Sequence, residues 1–500
     1  MDFIRNFPFF CIILSMFSGI LSSVLDGKKA RNLCLGCVTV VMVLSVCVLG
    51  YTIKTDSSFT YMMGHFPAPW GNEIRAGILE GLLATVFSVV LFLSLLSAAH
   101  RTAEDIEPTK LNLFYLLIDL LLSSLLAIIY TNDLFTAYVF VEINTIAACG
   151  LIMIRQIGRV FGAAIRYMVM SLIGSGLFLI GLSLLYNLTG QLLMCPAKEA
   201  LAKIIPMDQY HMPVLIILVL MSIGLAIKSG LYPFHSWMPD AYSYSTASAS
   251  AVLSGLVSKA YIILLIKIFY RVVGIDFIVT SKMMNVLFTF GLAGMIMGSV
   301  NAILEKDIRR MIAYSSVAQI GYIYMGIGLG IKEGYVAAVY HIFHHAATKA
   351  LLFISVVGLS NVSGGSKLFP DLRGAGYRHK TAGVAFAVGG LSMVGLPMFS
   401  GFISKYLFAM AAMSASPKKV FLTLVVLAVS TILNAIYFLH TVVTIYTPIE
   451  VKHPEYETRN WREKPWVTLS LSALIALNFI LGIFSEPIVR LIDRGLGMFG

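Results

Sequence analysis

The stretch VLIILVLMSIGLAIKSGLYP, residues 214–233, constrains the fold of this chain most strongly. The run before Lys228 is apolar apart from one serine, and about 20 such residues cross roughly 30 Å of hydrocarbon as a helix. Gly230 and Pro233 follow the lysine; glycine loosens the turn and proline removes a backbone donor. We therefore predict a membrane-spanning helix that carries a buried lysine and is broken beside it.

The composition extends this prediction to the whole chain. Hydrophobic residues make up 58% and charged residues 12% of the 500 residues, whereas soluble proteins are roughly half apolar and a quarter charged. The sequence predicts an all-α polytopic membrane protein of about 14 transmembrane helices joined by short loops, with no soluble domain. The predicted segments lie near residues 7–25, 33–51, 77–99, 112–131, 134–154, 163–186, 213–234, 247–270, 283–304, 309–330, 335–357, 382–412, 420–446 and 466–489.

In a soluble protein, a formal net charge of +11 would indicate binding to nucleic acid. Here the positive-inside rule accounts for it, so the expected surroundings are a lipid bilayer and no nucleic acid. We expect an integral protein of a prokaryotic cell (inner) membrane with both termini outside. The inner excess comes from Lys28, Lys29, Arg31, Arg155, Arg159, Arg166, Lys306, Arg309, Arg310, Lys452, Arg459, Arg462 and Lys464.

One glutamate and four lysines lie inside the predicted helices: Glu142, Lys228, Lys259, Lys349 and Lys405. An ionisable group in hydrocarbon costs several kcal/mol or more, so such residues usually face an internal polar path. We expect these five to form a buried line of charge. Lys267, near the end of its helix, is instead expected to reach the membrane interface with its long side chain.

A second broken helix is predicted around Gly395, Pro397 and Gly401, again beside a lysine. Transporters built from inverted repeats place broken helices at matching positions in their two halves. The paired breaks predict two inverted five-helix repeats, helices 4–8 and 9–13, with helices 7 and 12 broken. The corresponding divisions are 1–110 for helices 1–3, 111–272 for the first repeat, 273–412 for most of the second, and 413–500 for helices 13 and 14, the former completing the second repeat.

The eleventh helix carries His341, His345 and Lys349 at spacing i, i+4, i+8, which places them within about 80° of one another. Imidazole titrates near neutral pH and can relay protons, so these residues form a candidate proton wire. His344 lies off this stripe, and packing and relay roles are equally compatible with it.

Metal and cofactor chemistry are not expected. Ile342 stands where a zinc-binding helix of the metalloprotease type needs a glutamate. Cys34 and Cys37 have the spacing of a metal knuckle but no second pair. We expect no metal site, no bound cofactor and no catalytic site in this chain.

Several motifs resemble one known family. They are Lys228-Ser-Gly-Leu-Tyr-Pro-Phe-His-Ser-Trp-Met-Pro-Asp-Ala-Tyr242, Ser254-Gly-Leu-Val-Ser-Lys259, Asn132-Asp-Leu-Phe-x₆-Glu142, Asp307-Ile-Arg-Arg-Met-Ile-Ala-Tyr-Ser-Ser316, His345-Ala-Ala-Thr-Lys349 and Gly395-Leu-Pro-x₃-Gly401-Phe-x-x-Lys405. In this order they resemble the antiporter-like, proton-pumping membrane subunits of respiratory complex I, Mrp-type Na⁺/H⁺ antiporters and membrane-bound hydrogenases. The resemblance covers roughly residues 110–410.

This resemblance implies particular roles. Glu142 would pair with Lys228, Lys259 would pass protons inward along a hydrated axis, and Lys405 would be the exit group. Burial favours a neutral lysine and a nearby carboxylate favours the charged form, so making or breaking the Glu142–Lys228 pair would act as a gate. The implied function is proton translocation within a multisubunit membrane complex, with other membrane subunits as partners, H⁺ as the ion carried, and Na⁺, if exchanged, handled by those partners.

The sequence departs from the family pattern in the link 242–250, which contains no proline. This predicts a link that is more helical or more flexible than usual.

The branch of the family stays open between a D-type Mrp subunit, an N-type complex I subunit and a hydrogenase-linked homologue; lysine at position 405 and an end soon after helix 14 disfavour two other complex I relatives. The alternatives from other classes are a non-transporting scaffold and a stand-alone ion-coupled solute transporter, and any oxidoreductase step would belong to partner subunits.

Overall fold

The structure, a computed structural model, describes residues 2–66, 71–448 and 465–499. Lys452, Arg459, Arg462 and Lys464, part of the predicted inner excess of basic residues, lie outside the described residues. The α-helices in chain order are α1 Phe7–Val24, α2 Gly27–Thr55, α3 Ile78–Asp105, α4 Leu111–Tyr130, α5 Leu134–Met153, α6 Gly158–Thr189, α7 Met194–Ile204, α8 Asp208–Ser229, α9 Met238–Tyr244, α10 Ala247–Val252, α11 Ser258–Ile268, α12 Ile275–Thr280, α13 Met283–Leu304, α14 Ile308–Gly328, α15 Lys332–Asn361, α16 Ala375–Arg378, α17 Lys380–Val394, α18 Ser400–Met413, α19 Pro417–Ile445, α20 Pro465–Ile483 and α21 Ser485–Gly497.

Other regular elements are few in the described part of the chain. The strands β1 (Phe59–Met62) and β2 (Glu73–Ala76) form an antiparallel pair, with Phe59 opposite Ala76. Two π-helical turns, Leu253–Val257 and Phe269–Val273, extend α10 and α11 into one continuous span over residues 247–273. Short 3₁₀ helices occur at Asp2–Asn6, Met63–His65, Pro108–Lys110 and Phe369–Leu372.

By length and composition, twelve helices in the described residues are long and apolar enough to cross a membrane. The prediction of an integral, all-α membrane protein is therefore confirmed. The other two predicted segments correspond to α14, which is not among the twelve, and to the pair α17 and α18, of which α17 is a shorter apolar helix. The count of fourteen spans stays a prediction.

The centre of the molecule is formed by the span 247–273 and by α15. The most apolar stretch of the former is wholly buried, as is 94% of that of α15, against 28% for the peripheral α19. α15 packs against α3, α14, α17 and α18. Charged residues on these two central elements are therefore shielded from lipid by protein.

Both predicted breaks coincide with helix ends. α8 stops at Ser229 and is followed by Gly230 with φ 77°; α17 stops at Val394 and is followed by Gly395 with φ 91°. Glycine ends helices in this left-handed conformation because it has no Cβ to clash. Pro233 and Pro397 lie in the non-helical residues that come next, 230–237 and 395–399.

Gly401 has a different place from the one predicted. It lies in the first turn of α18 and not in the break itself. A Cβ on Gly401 would stand 1.7 Å from the carbonyl oxygen of Ser392 and 3.1 Å from Cε1 of His344. Its role is to let the second half-helix approach the end of α17 and the centre of α15.

The proline-free link 242–250 is helical on both sides of a short extended segment. α9 ends at Tyr244, Ser245 and Thr246 are extended, and the Thr246 hydroxyl accepts from the backbone of Ala249 at the start of α10. The link is also tied to α14, because Arg309 Nη2 donates to the Tyr242 carbonyl (3.1 Å), the Ser245 carbonyl (2.8 Å) and the Ser250 hydroxyl (2.5 Å).

The expectation that Lys267 reaches the membrane interface is wrong. Its side chain is fully buried, and Nζ donates to the carbonyl oxygens of Ile128 (3.3 Å), Ile129 (2.8 Å) and Thr131 (2.5 Å) at the end of α4. The last carbonyls of a helix have no partner within it. Lys267 therefore caps α4, and these acceptors offset the cost of burying the ammonium group.

The close approach at Gly401 is testable by a single added methyl group. We expect Gly401→Ala to lower stability by about 1–3 kcal/mol, because α18 must shift away from α17. Gly176→Ala is the matched control, since nothing lies within 4 Å of a Cβ at that exposed position of α6; it should be neutral or slightly stabilising. Thermal unfolding of the purified variants in one detergent measures both, and equal midpoints would contradict the assigned contact.

Candidate functional site

The first element of the site is an ion pair between α5 and α8. Lys228 Nζ lies 3.5 Å from Glu142 Oε1 and donates to the Thr145 hydroxyl at 2.7 Å. The lysine side chain is fully buried, whereas that of Glu142 is 24% exposed. The Thr145 hydroxyl is a second acceptor for the ammonium group. Lys228 therefore keeps a hydrogen-bond partner when the Glu142 carboxylate moves away.

Lys259 lies on α11, the helix that also contacts Lys228. The ring of Tyr261, two residues further along α11, lies 5.7 Å from Lys228 Nζ. Lys259 itself is fully buried and donates to the Ser254 carbonyl and, at 3.0 Å, to the Ser258 hydroxyl. Ser254 belongs to the first π-helical turn, a local widening of the helix that is frequent at functional sites.

α15 places its titratable residues along the buried centre, as their spacing predicts. His341 Nδ1 is 2.7 Å from the Ser404 hydroxyl, and its ring centroid is 6.2 Å from that of His345. Lys349 Nζ donates to the Ile312 carbonyl at 2.8 Å and to the Ser315 hydroxyl. The sequence spacing thus corresponds to one continuous buried stripe.

His345 differs from its neighbours on that stripe. Its imidazole is fully buried, and among the described residues neither ring nitrogen has a hydrogen-bond partner. The π-helical turn lies close by, since a Cβ on Gly255 would be 3.3 Å from the Ala346 carbonyl oxygen. His345 therefore lies on the side of α15 near the span 247–273, which carries Lys259. Both of its ring nitrogens are available to accept or donate a proton.

Lys405 lies at the second break. Its Nζ donates to the carbonyl oxygen of Val394, the last residue of α17, at 2.6 Å. The ring of Tyr322 lies 6.0 Å from this Nζ and stacks on the ring of His341 at 5.5 Å between centroids. Tyr322 thus connects the α15 stripe with Lys405.

His344 also joins α15 to the second break. Nδ1 is 2.8 Å from the hydroxyl of Ser400, the first residue of α18, and the ring centroid is 5.3 Å from that of His341. The sequence left its role undecided between packing and relay. The structure places it in contact with both candidate relay elements.

Sequence reasoning missed two further buried carboxylates. Asp119 on α4 is fully buried and accepts a hydrogen bond from the Ser18 hydroxyl at 2.6 Å. Glu80 on α3 pairs with Arg271 at 2.5 Å. Glu142 is therefore not the one acid inside the spans, although it is the acid paired with a lysine of the predicted line.

Hydroxyl groups also escaped prediction, since serine and threonine are common in apolar helices and carry no signal of their own. The hydroxyls that contact the predicted residues belong to Thr145, Ser258, Ser315, Ser400 and Ser404. Among the described residues no group of three or more histidine, cysteine or acidic side chains is arranged to hold a metal ion.

The described chain is a polytopic helical bundle whose central helices carry buried lysines and histidines, an arrangement typical of ion-translocating membrane subunits. Residues 131–432 match the family described as NADH:quinone oxidoreductase/Mrp antiporter, TM. The chain belongs to this family, which confirms the resemblance found in the motifs.

Relatives come from two branches of the family. NADH-quinone oxidoreductase subunit N of Desulforudis audaxviator is 31% identical over 446 residues, 88% of this chain and 86% of that protein. The D-type subunit of the Na(+)/H(+) antiporter of Alkalihalophilus pseudofirmus is 27% identical over 457 residues, 91% of this chain and 89% of that protein.

Solved structures show the same fold. A chain of the membrane-bound sulfane sulfur reductase, an archaeal respiratory membrane complex, superposes with a TM-score of 0.87 at 24% identity and covers 100% of this chain and 98% of that one. A chain of the Mrp complex from Dietzia sp. gives a TM-score of 0.87 at 21% identity over 99% and 97%.

The ion pair predicts a sharp difference between two acids within the spans, Glu142 and Asp119. We expect Glu142→Gln to reduce proton transport about tenfold or more, because the amide keeps the shape but removes the charge facing Lys228. Asp119→Asn, the matched control on α4, should retain transport. The measurement is pH-gradient formation in sealed vesicles of the assembled complex at equal expression, and near-normal transport by Glu142→Gln would exclude the pair from the pathway.

Proposed function

We propose that this chain translocates protons as one subunit of a multisubunit membrane complex. The observation that carries this proposal is the contact of Lys228 with both Glu142 and Thr145 at one end of a buried set of titratable groups. The names of the relatives support it, since they are subunits of NADH-quinone oxidoreductases and of Na(+)/H(+) antiporters.

The proposed path begins at the Glu142–Lys228 pair and continues to Lys259. A proton leaves Lys228 most readily when Glu142 moves away, because the lost attraction and the desolvated surroundings both favour the neutral amine. Lys259 is the next acceptor. It is held by a carbonyl and a hydroxyl, and these neutral acceptors do not fix its charge in the way that a carboxylate would.

The second part of the path runs along α15 to Lys405. His345 and His341 pass the proton through imidazole nitrogens, and Lys349 sets the local electrostatic field beside them. Ordered water would complete the gaps, since His341 Nε2 and both nitrogens of His345 have no hydrogen-bond partner among the described residues. Lys405, at the end of the broken helix, is the exit group.

The two five-helix repeats and the orientation belong to the same proposal. The breaks after Ser229 and Val394 lie in corresponding helices of residues 111–272 and of the second repeat, as inverted repeats require. The basic loops support termini outside and a prokaryotic cell (inner) membrane. The driving reaction, cation antiport or a redox step, resides in partner subunits, and both an Mrp D-type and a complex I N-type membership are compatible with the relatives.

Two alternatives make different predictions. In a scaffold the buried charges only specify helix packing, so charge-retaining substitutions leave its function unchanged. A stand-alone solute transporter needs a solute site at the membrane centre. The uncommitted nitrogens of His345, buried at the centre, favour proton transfer over a scaffold.

The exit role of Lys405 is testable by three variants. Lys405→Ala should stop pumping because it cannot accept a proton, whereas Lys405→Glu should retain part of it because a partly desolvated carboxyl group titrates nearer to neutral pH. Lys419→Ala is the control, since Lys419 donates to the Gly328 carbonyl at the end of α14 away from the path. pH-gradient formation at equal expression decides: a Lys405→Ala variant that pumps as well as wild type overturns the exit role.

The identity of the ion is a separate prediction. Sodium prefers oxygen ligands, and in the predicted line Glu142 faces an ammonium group that competes with any cation. We expect the purified subunit to bind no radioactive sodium specifically. Saturable binding that disappears in Glu142→Gln would show that this chain carries sodium itself.

A further inference from the structure

A polar cavity lies at one membrane face, away from the proposed proton path. Its volume is about 240 Å³, and it is enclosed by the end of α3, the turn after α5, the starts of α10 and α14 and the end of α15. The polar side chains that line it are those of Arg101, Asp105, Arg155, Arg309, Ser360, Asn361 and Lys367. This face carries the basic loops that are predicted to be cytoplasmic.

The lining carries a large positive excess. Four basic side chains and one acidic side chain give a formal charge of +3. Arg101 Nε and Arg155 Nη2 share the same Asp105 oxygen, at 3.2 and 3.5 Å, and Arg101 Nη1 also pairs with Glu104, outside the lining, at 3.2 Å. Among the described ion pairs none neutralises Arg309 or Lys367.

Several donors in this lining are buried without an acceptor among the described residues. They are Nε of Arg309, Nδ2 of Asn361 and Nε of Arg155. The side chains of Arg309 and Asn361 are each only 5% exposed. A buried donor without a partner is costly, and three of them at one cavity indicate that its natural occupant accepts hydrogen bonds.

We propose that this cavity binds a tetrahedral phosphate-type anion, either free phosphate or the phosphodiester headgroup of an anionic lipid. Arginine forks match phosphate oxygens in geometry and charge, and basic pockets between helices on the cytoplasmic side bind anionic headgroups. The positive excess argues against a proton entrance, because it repels protons and other cations.

Two properties of the lining residues Lys367 and Arg309 are consistent with a bound anion. Lys367 lies in the loop after α15, and burial together with the nearby Arg309 lowers the pKa of its ammonium group to about 7; a bound anion would offset this repulsion. Arg309 also ties the link between α9 and α10, so an occupant held by its Nε would rigidify the approach to the span that carries Lys259.

The test uses the purified full-length chain in phosphatidylcholine nanodiscs. Inorganic phosphate is titrated in one arm, and phosphatidylglycerol replaces part of the lipid in the other, with bound lipid counted by native mass spectrometry. Saturable binding of inorganic phosphate identifies a free anion, whereas retention of phosphatidylglycerol alone identifies a headgroup; either result supports the proposal.

Substitutions of lining residues test whether the anion binds in this cavity. Lys367→Gln should weaken it about tenfold, the loss of one charged hydrogen bond, and Lys367→Arg should restore it. Lys306→Gln, which removes an exposed charge from the same face outside the cavity, should bind as wild type. Asn361→Asp should abolish binding by placing a carboxylate among the arginines, and it provides a second reading if Lys367→Gln folds poorly.

The proposal is overturned if neither probe binds. It is also overturned if Lys367→Gln and Asn361→Asp both bind as tightly as wild type.

Discussion

A hydrogen bond from an intramembrane lysine to a backbone carbonyl oxygen recurs in this protein. Lys259 reaches Ser254, Lys349 reaches Ile312, and Lys405 reaches Val394. Hydrocarbon offers an ammonium group no acceptor, so the polypeptide must provide one. The π-helical turn before Lys259 and the helix end before Lys405 are places where the regular ladder leaves such oxygens accessible. The irregular backbone and the buried charges thus depend on each other.

The choice of acceptor also bears on function. A carbonyl dipole stabilises an ammonium group less than a carboxylate does, and the neutral amine remains accessible beside it. Lys228 is the lysine of this line that faces a carboxylate in the described residues. The lysines of this line therefore differ in their surroundings. The Glu142 carboxylate strongly stabilises the charged form of Lys228, whereas carbonyl oxygens stabilise the charged forms of the other lysines more weakly. A carboxylate beside every lysine would instead favour the charged ammonium form at each position.

Much of this could be predicted from the sequence, for physical reasons. Hydropathy fixes the membrane class, and the cost of intramembrane charge selects Glu142 and the lysines without any coordinates. Lys267 shows the limit of prediction from sequence. Its position near a helix end indicated that it would reach the membrane interface, but it binds carbonyl oxygens at the end of α4, a helix distant in sequence. Tyr322 was missed for the same reason, because a tyrosine in an apolar helix is informative only when its neighbours are known. The close approach at Gly401 depends on how two half-helices meet, which no local pattern encodes.

Arg309 has a consequence for the kind of motion that this protein can use. Its guanidinium joins α14 to a carbonyl of α9, to a carbonyl of the extended segment between α9 and α10, and to a hydroxyl of α10. Many transporters alternate their access by rocking one half of the bundle against the other. A motion that separated α14 from α9 and α10 would break these three buried hydrogen bonds. Arg309 therefore opposes a relative movement of these three helices, whereas movements of single side chains elsewhere leave its contacts intact.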